Sequence, residues 1–464
     1  MESANFFTHI AVAGFMFLTP VFFGKYPLRT AIIIMLVGGW LFLPQVHYYI
    51  HFIPFRTRLH AISLALLLGI LTHNPKGFMA FRFSWLDLPI ICYCISPMIS
   101  SVTNGLGVYD GAQSVEFNIV DYGIPYAIGR SYFGTFVSLK ELAIGALIGT
   151  LILVPFVLIE IRLSPQMHRW VYGWYPHEFI QTVRAGSYRP SVFMSHGLEL
   201  AIWNSASAFI GWQLYLHRSI RQTVPFLNIP LLPSLVTLFI VLIISHSSGA
   251  FLLFCIALAL TEISIRIKSF MPLIALALFP VIFISLRASG TWDGHQLVDI
   301  SRRVSGEGRA SSLEFRFKND DALAEKDRQH LVFGWGRWSR GFITDKYGNL
   351  LNTPDSQWII IFGEGGVFAL AAINGIYLFP AILLFMKLSR NRLGGSLETP
   401  AIAFAVFFLA TMIDNLFNAM SNPLLIVASG GICSLALSPS AMSGTLRGSP
   451  RRPEPQALMT TRVI

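Results

Sequence analysis

The sequence predicts an all-α polytopic membrane protein of about twelve transmembrane helices with one long extracytoplasmic loop. Three observations carry that prediction. Only 12% of the 464 residues are charged and 54% are hydrophobic, whereas a soluble domain carries about a quarter charged residues. Mean hydropathy is +0.59. The apolar residues come in long blocks rather than short alternating faces, which excludes a disulfide scaffold, a disordered chain and a nucleic-acid module. The net charge of +10 does not indicate a nucleic-acid partner, because a polytopic protein collects Lys and Arg in its cytoplasmic loops. Cys92, Cys94, Cys255 and Cys433 all lie in apolar blocks and read as packing residues.

A hydrocarbon core about 30 Å thick takes about 20 apolar helical residues. Twelve blocks approach that length: 7–23, 30–48, 59–73, 85–102, 138–160, 194–216, 231–245, 249–264, 269–286, 356–386, 400–419 and 422–437. Residues 1–10 show no basic stretch of the kind that opens a cleaved leader, so the first block is expected to remain as a span. Segment 103–137, rich in Gly and aromatic residues, is too polar to span and is expected to be interfacial or re-entrant. Turn residues at 245–248 and 421–423 make hairpins of the seventh and eighth blocks and of the last two. The expected organisation is a bundle over 1–286 of about nine spans, with an outer loop at 161–193, an extracytoplasmic loop over 287–355, and a bundle of about three spans over 356–437. A basic, Pro/Ser/Gly-rich cytoplasmic tail over 438–464 is expected to be disordered.

Orientation follows from basic residues in short loops. With the N-terminus inside, cytoplasmic segments hold fourteen Lys and Arg and short outer loops hold eight, which places both termini in the cytoplasm. The 69-residue loop 287–355 is left out of that comparison, although it holds 21 of the 58 charged residues.

Within the loop, 308–331 fits an amphipathic helix carrying Arg309 and Arg316, seven residues apart and so on nearly one face. Two guanidiniums on one face can hold a diphosphate by paired charge-assisted hydrogen bonds. Pairing of Arg309 with Glu307 and of Arg316 with Asp320 is the alternative. A Gly/Trp turn follows, in which Gly334 and Gly336 permit unusual backbone angles. Trp335 and Trp338 can stack on the apolar face of a sugar or sit in the interfacial aromatic belt. Asp355, in Thr353-Pro-Asp-Ser-Gln-Trp358, is placed either to cap the next helix or to act as a carboxylate over the outer end of the bundle. Glu364 lies about two turns deeper, where a charge must be neutral, paired or functional. In the earlier outer loop, Arg184 and Arg189 are candidate ligands for the same diphosphate. Pro190 holds Arg189 at the boundary beside His196, where an arginine also serves as a snorkelling anchor.

In these residues the sequence resembles the bacterial O-antigen ligase and polymerase superfamily of polytopic glycosyltransferases. The matching features are the number of spans, the long outer loop, the Arg-bearing helix ending in Phe333-Gly-Trp-Gly336, and Asp355-Ser-Gln followed by Glu364-Gly-Gly. Arg189-Pro190 before a span is a further match. The layout covers most of the chain, and its motifs lie in 184–196 and 309–366. The resemblance implies a fold related to the GT-C class, no cofactor or metal, and inverting transfer from an undecaprenyl-diphosphate-linked oligosaccharide at the outer face of the bacterial inner membrane. Arg189, Arg309 and Arg316 would neutralise the diphosphate leaving group, and a base near Asp355 would take the acceptor proton. The ligases carry His where this chain carries Asp355, which tilts the expectation toward a polymerase of surface or exopolysaccharide, with a chain-length regulator as a further candidate partner. A ligase acting on a lipid A core or a protein, and a flippase for lipid-linked glycan, are the alternatives.

Overall fold

Each of the twelve apolar blocks folds as a helix, and the polar segments between them add six more, in a computed structural model that is 74% helical. The structure describes residues 5–45, 57–184, 186–336, 339–420 and 422–438. In chain order the helices are α1 (Phe6–Lys25), α2 (Leu28–Phe42), α3 (Arg58–His73), α4 (Pro75–Met79), α5 (Leu88–Thr103) and α6 (Val108–Asn118). Next come α7 (Ile124–Tyr132), α8 (Phe136–Leu163), α9 (Met167–Tyr172), α10 (Gly197–Leu216), α11 (Leu231–Ile244) and α12 (Ser248–Arg266). The last six are α13 (Met271–Ala288), α14 (His295–Ser305), α15 (Glu307–Asp327), α16 (Gln357–Lys387), α17 (Thr399–Asp414) and α18 (Pro423–Leu437). A small hairpin, β1 (Val183–Arg184) with β2 (Ser187–Tyr188), lies in the loop 161–193. Six helices are long and apolar enough to cross a membrane: α1, α5 with its preceding turn, α8, α12, α13 and α16. The helix starts follow local chemistry, for example Asn5 and Thr57, whose side chains accept from the backbone N–H of Thr8 and His60.

Segment 103–137, expected to be interfacial or re-entrant, is largely helical. Helices α6 and α7 join through a π-turn at Ile119–Gly123 into one run over 108–132 that returns along α5 to the opposite end of the bundle. Its polar residues look unsuited to a span but face other helices and are paired there. Arg130 binds Asp87 at 2.8 and 3.1 Å, Asn118 donates to the Tyr93 carbonyl at 3.0 Å, and Asp121 meets His60 at 2.9 Å. Glycines let α7 and α18 touch backbone to backbone: a Cβ on Gly430 would lie 2.2 Å from the Tyr126 carbonyl oxygen.

Together with this run, thirteen helical segments among the described residues pass between the two ends of the bundle. One end carries the loops 161–193 and 287–355, and the start of α1 lies there too, because Asn5 donates to the carbonyls of Val171 and Tyr172 at 2.9 and 3.1 Å. The other end gathers the α3–α4 turn, the start of α8 and the end of α18. There Tyr132 donates to the Asn74 carbonyl at 3.1 Å, Arg392 lies 5.5 Å over the Phe136 ring, and Lys387 donates to the Ala436 carbonyl at 2.7 Å. The beginning of α1 and the end of α18 are therefore at opposite ends of the bundle among the described residues.

Helix α16 is broken. At Gly366 the backbone turns to φ 61°, ψ −161°, and the segment 331–336 lies against the break. The amides of Val367 and Phe368 donate to the carbonyls of Leu331 and Val332 at 2.9 and 3.1 Å, and the carbonyls of Gly363 and Glu364 accept from the amides of Trp335 and Gly336 at 2.7 and 3.0 Å. Four backbone groups freed by the break are thus satisfied by one short loop segment, as burial in an apolar bundle requires.

Two outcomes test this architecture. A Cβ on Gly366 would stand 2.4 Å from Val332 backbone atoms and force an L-residue to positive φ. Gly366→Ala should therefore lower stability by roughly 2–4 kcal/mol, read as thermal unfolding in detergent. Single cysteines at Asn5 and Lys346 should be labelled by an impermeant thiol reagent from the same side of sealed vesicles, and one at Arg390 from the other. Matching accessibility of Asn5 and Arg390 would overturn the thirteen-pass arrangement.

Candidate functional site

The long loop folds as a helical pair, α14 and α15, with α15 lying against the loop-side end of α16. Arg316, Asp320, Leu323 and Asp327 recur at the i, i+4, i+7, i+11 spacing of one helix face, and each meets α16, the turn before it or the turn that follows α17. Arg316 donates to the Phe417 carbonyl at 2.9 Å and to Asn418 Oδ1 at 3.2 Å, and its Nε stands 3.6 Å from Asp355 Oδ2. Two of the three residues expected to act together are thus side by side. Arg309 is exposed, with no hydrogen bond or ion pair among the described residues, and Glu307 is instead bound by Arg302 at 2.9 Å. Neither alternative pairing occurs, since Asp320 is taken by Ser356.

Asp355 does not cap α16. Ser356 holds that position, and its hydroxyl donates to Asp320 at 2.9 and 3.0 Å rather than accepting from its own helix. Asp320 is buried, and that burial pushes its carboxyl up to about 7, with the Ser356 hydroxyl pulling the other way. Asp327 is 2% exposed and is squeezed between two glycines: Cβ atoms on Gly341 and Gly363 would lie 2.9 and 3.0 Å from its carboxylate oxygens. Burial pushes Asp327 up to about 7 as well, against the charge of the adjoining Lys326 and the nearby indole N–H of Trp335, which is not placed to make a hydrogen bond. Its Oδ1 has no hydrogen-bond partner among the described residues.

Two clefts flank the loop-side half of α16, about 240 and 270 Å³ counting their open mouths. The first carries two carboxylates, Asp327 and Glu364, among apolar residues that include Leu323, Phe342 and Ile359. The second carries no ionised group; Gln357, Asn374 and Asn415 are its polar points beside Ile284, Leu370 and Met412. Pro354 lines the first and Gln357 the second, and Asp355 lies between those two residues in the sequence. Each cleft encloses only about 10 Å³, room for about one water molecule, so a substrate would lie over them rather than inside.

The other expected site residues do not join this group. Arg189 donates to the His246 carbonyl at 3.0 Å in the α11–α12 turn. His196 caps α10, its Nδ1 accepting from the Leu198 amide at 2.9 Å, with its ring 4.3 Å from that of His177. Both order the loop 161–193 rather than the cleft. Trp335 is half-buried, its ring tilted against that of His330 at 3.8 Å between centroids, with Lys326 Nζ 5.3 Å from it. Glu364, in contrast, lines the first cleft beside Asp327 and is half-buried. The side chain of Arg184 and all of Trp338 lie outside the described residues. Asp320 was read only as an ion-pair partner of Arg316, and Asp327 escaped the sequence reading, although its i+11 spacing from Arg316 could have marked it.

Because folding raises the Asp320 carboxyl above its ordinary range, its proton is held more tightly in the folded protein. Its contribution to stability is present at low pH and is lost as pH rises from about 4 to about 7, a fall on the order of 3 kcal/mol. Asp320→Asn, whose side-chain oxygen still accepts from Ser356, should lack that fall when unfolding is followed across pH in detergent. No protein-family model matches the sequence, and comparison with curated proteins finds no match.

Proposed function

We propose that the protein is a glycosyltransferase of the bacterial inner membrane that joins undecaprenyl-diphosphate-linked oligosaccharide repeat units into a surface or exopolysaccharide at the extracytoplasmic face. One observation carries this reading: Arg316 and Asp355 are paired just before α16, whose first turns line one cleft bearing two carboxylates and a second bearing no ionised group. The uncharged cleft suits contact with the polyprenyl end of a donor, and the carboxylate-bearing cleft suits contact with an acceptor sugar's hydroxyls. Arg316 stands beside Asp355, where a diphosphate must gather negative charge as the glycosidic bond breaks, and Arg309 is exposed on the same helix to meet the outer phosphate. Asp355 holds the Arg316 guanidinium in place and is a positioning residue.

The orientation rests on charge. The end opposite the long loop carries Lys25, Arg29, Lys76, Arg82, Arg130, Lys140, Arg218, Arg221, Arg266, Lys268, Lys387, Arg390 and Arg392. The loop end, the long loop aside, has Arg58, Arg162, Arg169, Arg184 and Arg189 among the described residues. The positive-inside rule then makes the former end cytoplasmic, with the start of α1 outside. A broken helix is also a feature of carriers, but here the four backbone groups freed in α16 are taken by 331–336 and offer a transported substrate nothing. That observation favours transfer at the surface over passage through the bundle.

Arg309→Ala, Arg316→Ala and Asp355→Ala should each stop accumulation of high-molecular-weight polysaccharide while the protein stays in the membrane. In a purified assay with lipid-linked repeat units, Arg316→Ala should lower elongation by about 100-fold or more. Wild-type chain lengths in all three variants would sink the site. Glycan lengthened while still on the lipid diphosphate is the product expected of a polymerase; glycan moved to a different acceptor would indicate ligation instead.

A further inference from the structure

We propose that Asp327 is the general base of the reaction: that it takes the proton of the acceptor sugar's hydroxyl in the cleft between α15 and the broken half of α16. This rests on the glycosyltransferase reading above. Asp327 is buried, yet it lines the cleft, and its Oδ1 has no partner among the described residues. A buried carboxylate oxygen left without a donor costs about 1–3 kcal/mol or more, and a hydroxyl entering the cleft would supply the missing donor. Nothing larger than hydrogen at Gly341 and Gly363 leaves its carboxylate room, since Cβ atoms there would fall 2.9 and 3.0 Å from it. Arg316 lies eleven residues earlier on the same face of α15, about 16 Å of helix rise, a separation that a diphosphate, one sugar ring and an acceptor hydroxyl occupy in line.

In the step, the acceptor oxygen forms a bond to the anomeric carbon of the donor while the bond from that carbon to the lipid diphosphate breaks. The diphosphate leaves with the electron pair, beside Arg316. The hydroxyl proton passes to Asp327, so charge and atoms balance without a further reactant. The groups facing Asp327 are Glu364 on α16, Lys326 on α15 itself, His330 and Trp335 in the turn, and Ser339 beyond it. Arg340 is directed away, 3.8 Å from Asp110. Its raised carboxyl, up to about 7, is that of a useful base at neutral pH and of a residue the fold would be more stable without.

The test uses the full-length protein in nanodiscs and the lipid-linked oligosaccharide extracted from cells deleted for its gene. Wild type should elongate this probe with a rate that falls below about pH 7. Asp327→Asn should bind the probe with unchanged affinity, lose about 100-fold or more in kcat, lose the acid limb of the pH profile, and melt at a higher temperature than wild type at pH 8. Should that variant not reach the membrane, Asp327→Glu replaces it, with the acid limb kept and the rate lowered. An Asp327→Asn enzyme with the wild-type rate and acid limb, or an Asp327→Glu enzyme equal to wild type at every pH, overturns the assignment of Asp327 alone. Wild type that binds the probe and transfers nothing overturns it together with the glycosyltransferase reading.

Discussion

A helix broken inside an apolar bundle has to find partners for the backbone groups the break releases, and in this protein that requirement organises the loop-side end. Leaving such groups bare would cost several kcal/mol each. The segment 331–336 meets all four, which anchors the C-terminal end of α15 to α16. Glycine is required on both sides of the contact: Gly334 and Gly366 adopt φ of 65° and 61°, and side chains there would meet the opposing backbone at 2.6 and 2.4 Å. The hairpin of α5 and α6 is tied to the same place, with Ser100 donating to the Glu364 carbonyl at 3.0 Å and Asn104 to the Gly334 carbonyl at 2.8 Å. The position of α15 follows from that anchor. Asp327 is brought beside Glu364, Asp320 under Ser356, and Arg316 over Asp355.

The electrostatics of this end are unfavourable to folding in two places. Asp320 and Asp327 are both buried without a cation directly bound to either carboxylate among the described residues, and burial holds both up at about 7. Contrast Arg58, 2% exposed, whose charge is met by Glu199 at 2.6 Å while Glu199 also accepts from the Ser195 amide at 2.8 Å. The Arg58 group is a closed network and explains itself structurally. Asp320 has one explicit donor in Ser356; Asp327 has an oxygen with none, in a cleft. Natural sequences retain local conflicts of this kind chiefly where function needs them, which is why the cleft rather than the buried Arg58–Glu199 pair is the candidate for chemistry.

Much of the helical layout was legible because it depends on composition over a long window. Blocks of apolar residues must be helices in an apolar surrounding, and turn residues at 245–248 end one where α11 stops at Ile244. Arg316 and Asp355 were legible as members of one site because one lies on an amphipathic loop helix and the other just before a span, both at the same end of the bundle; that they contact each other was not. What could not be read was any feature set by partners distant in sequence. The polar residues of 108–132 looked incompatible with a pass through the bundle until Asp87, Tyr93 and His60 were seen to receive them. Arg189 and His196 carried the right residue types in a suitable loop, yet their partners are in the α11–α12 turn and the first turn of α10.

The sequence by itself determined that this is an apolar helical bundle with its charge concentrated in one loop, because hydrophobic free energy sums over residues regardless of which helix meets which. It also marked Arg309, Arg316, Asp355 and Glu364 as residues out of place in such a chain. Only the tertiary structure decided that α16 breaks at Gly366 and is completed by 331–336, that Asp327 rather than Asp355 is the buried carboxylate with a vacant oxygen, and that the ends of the described chain lie at opposite ends of the bundle. Those outcomes depend on hydrogen-bond partners separated by tens to hundreds of residues. A local pattern carries no information about which of them will meet.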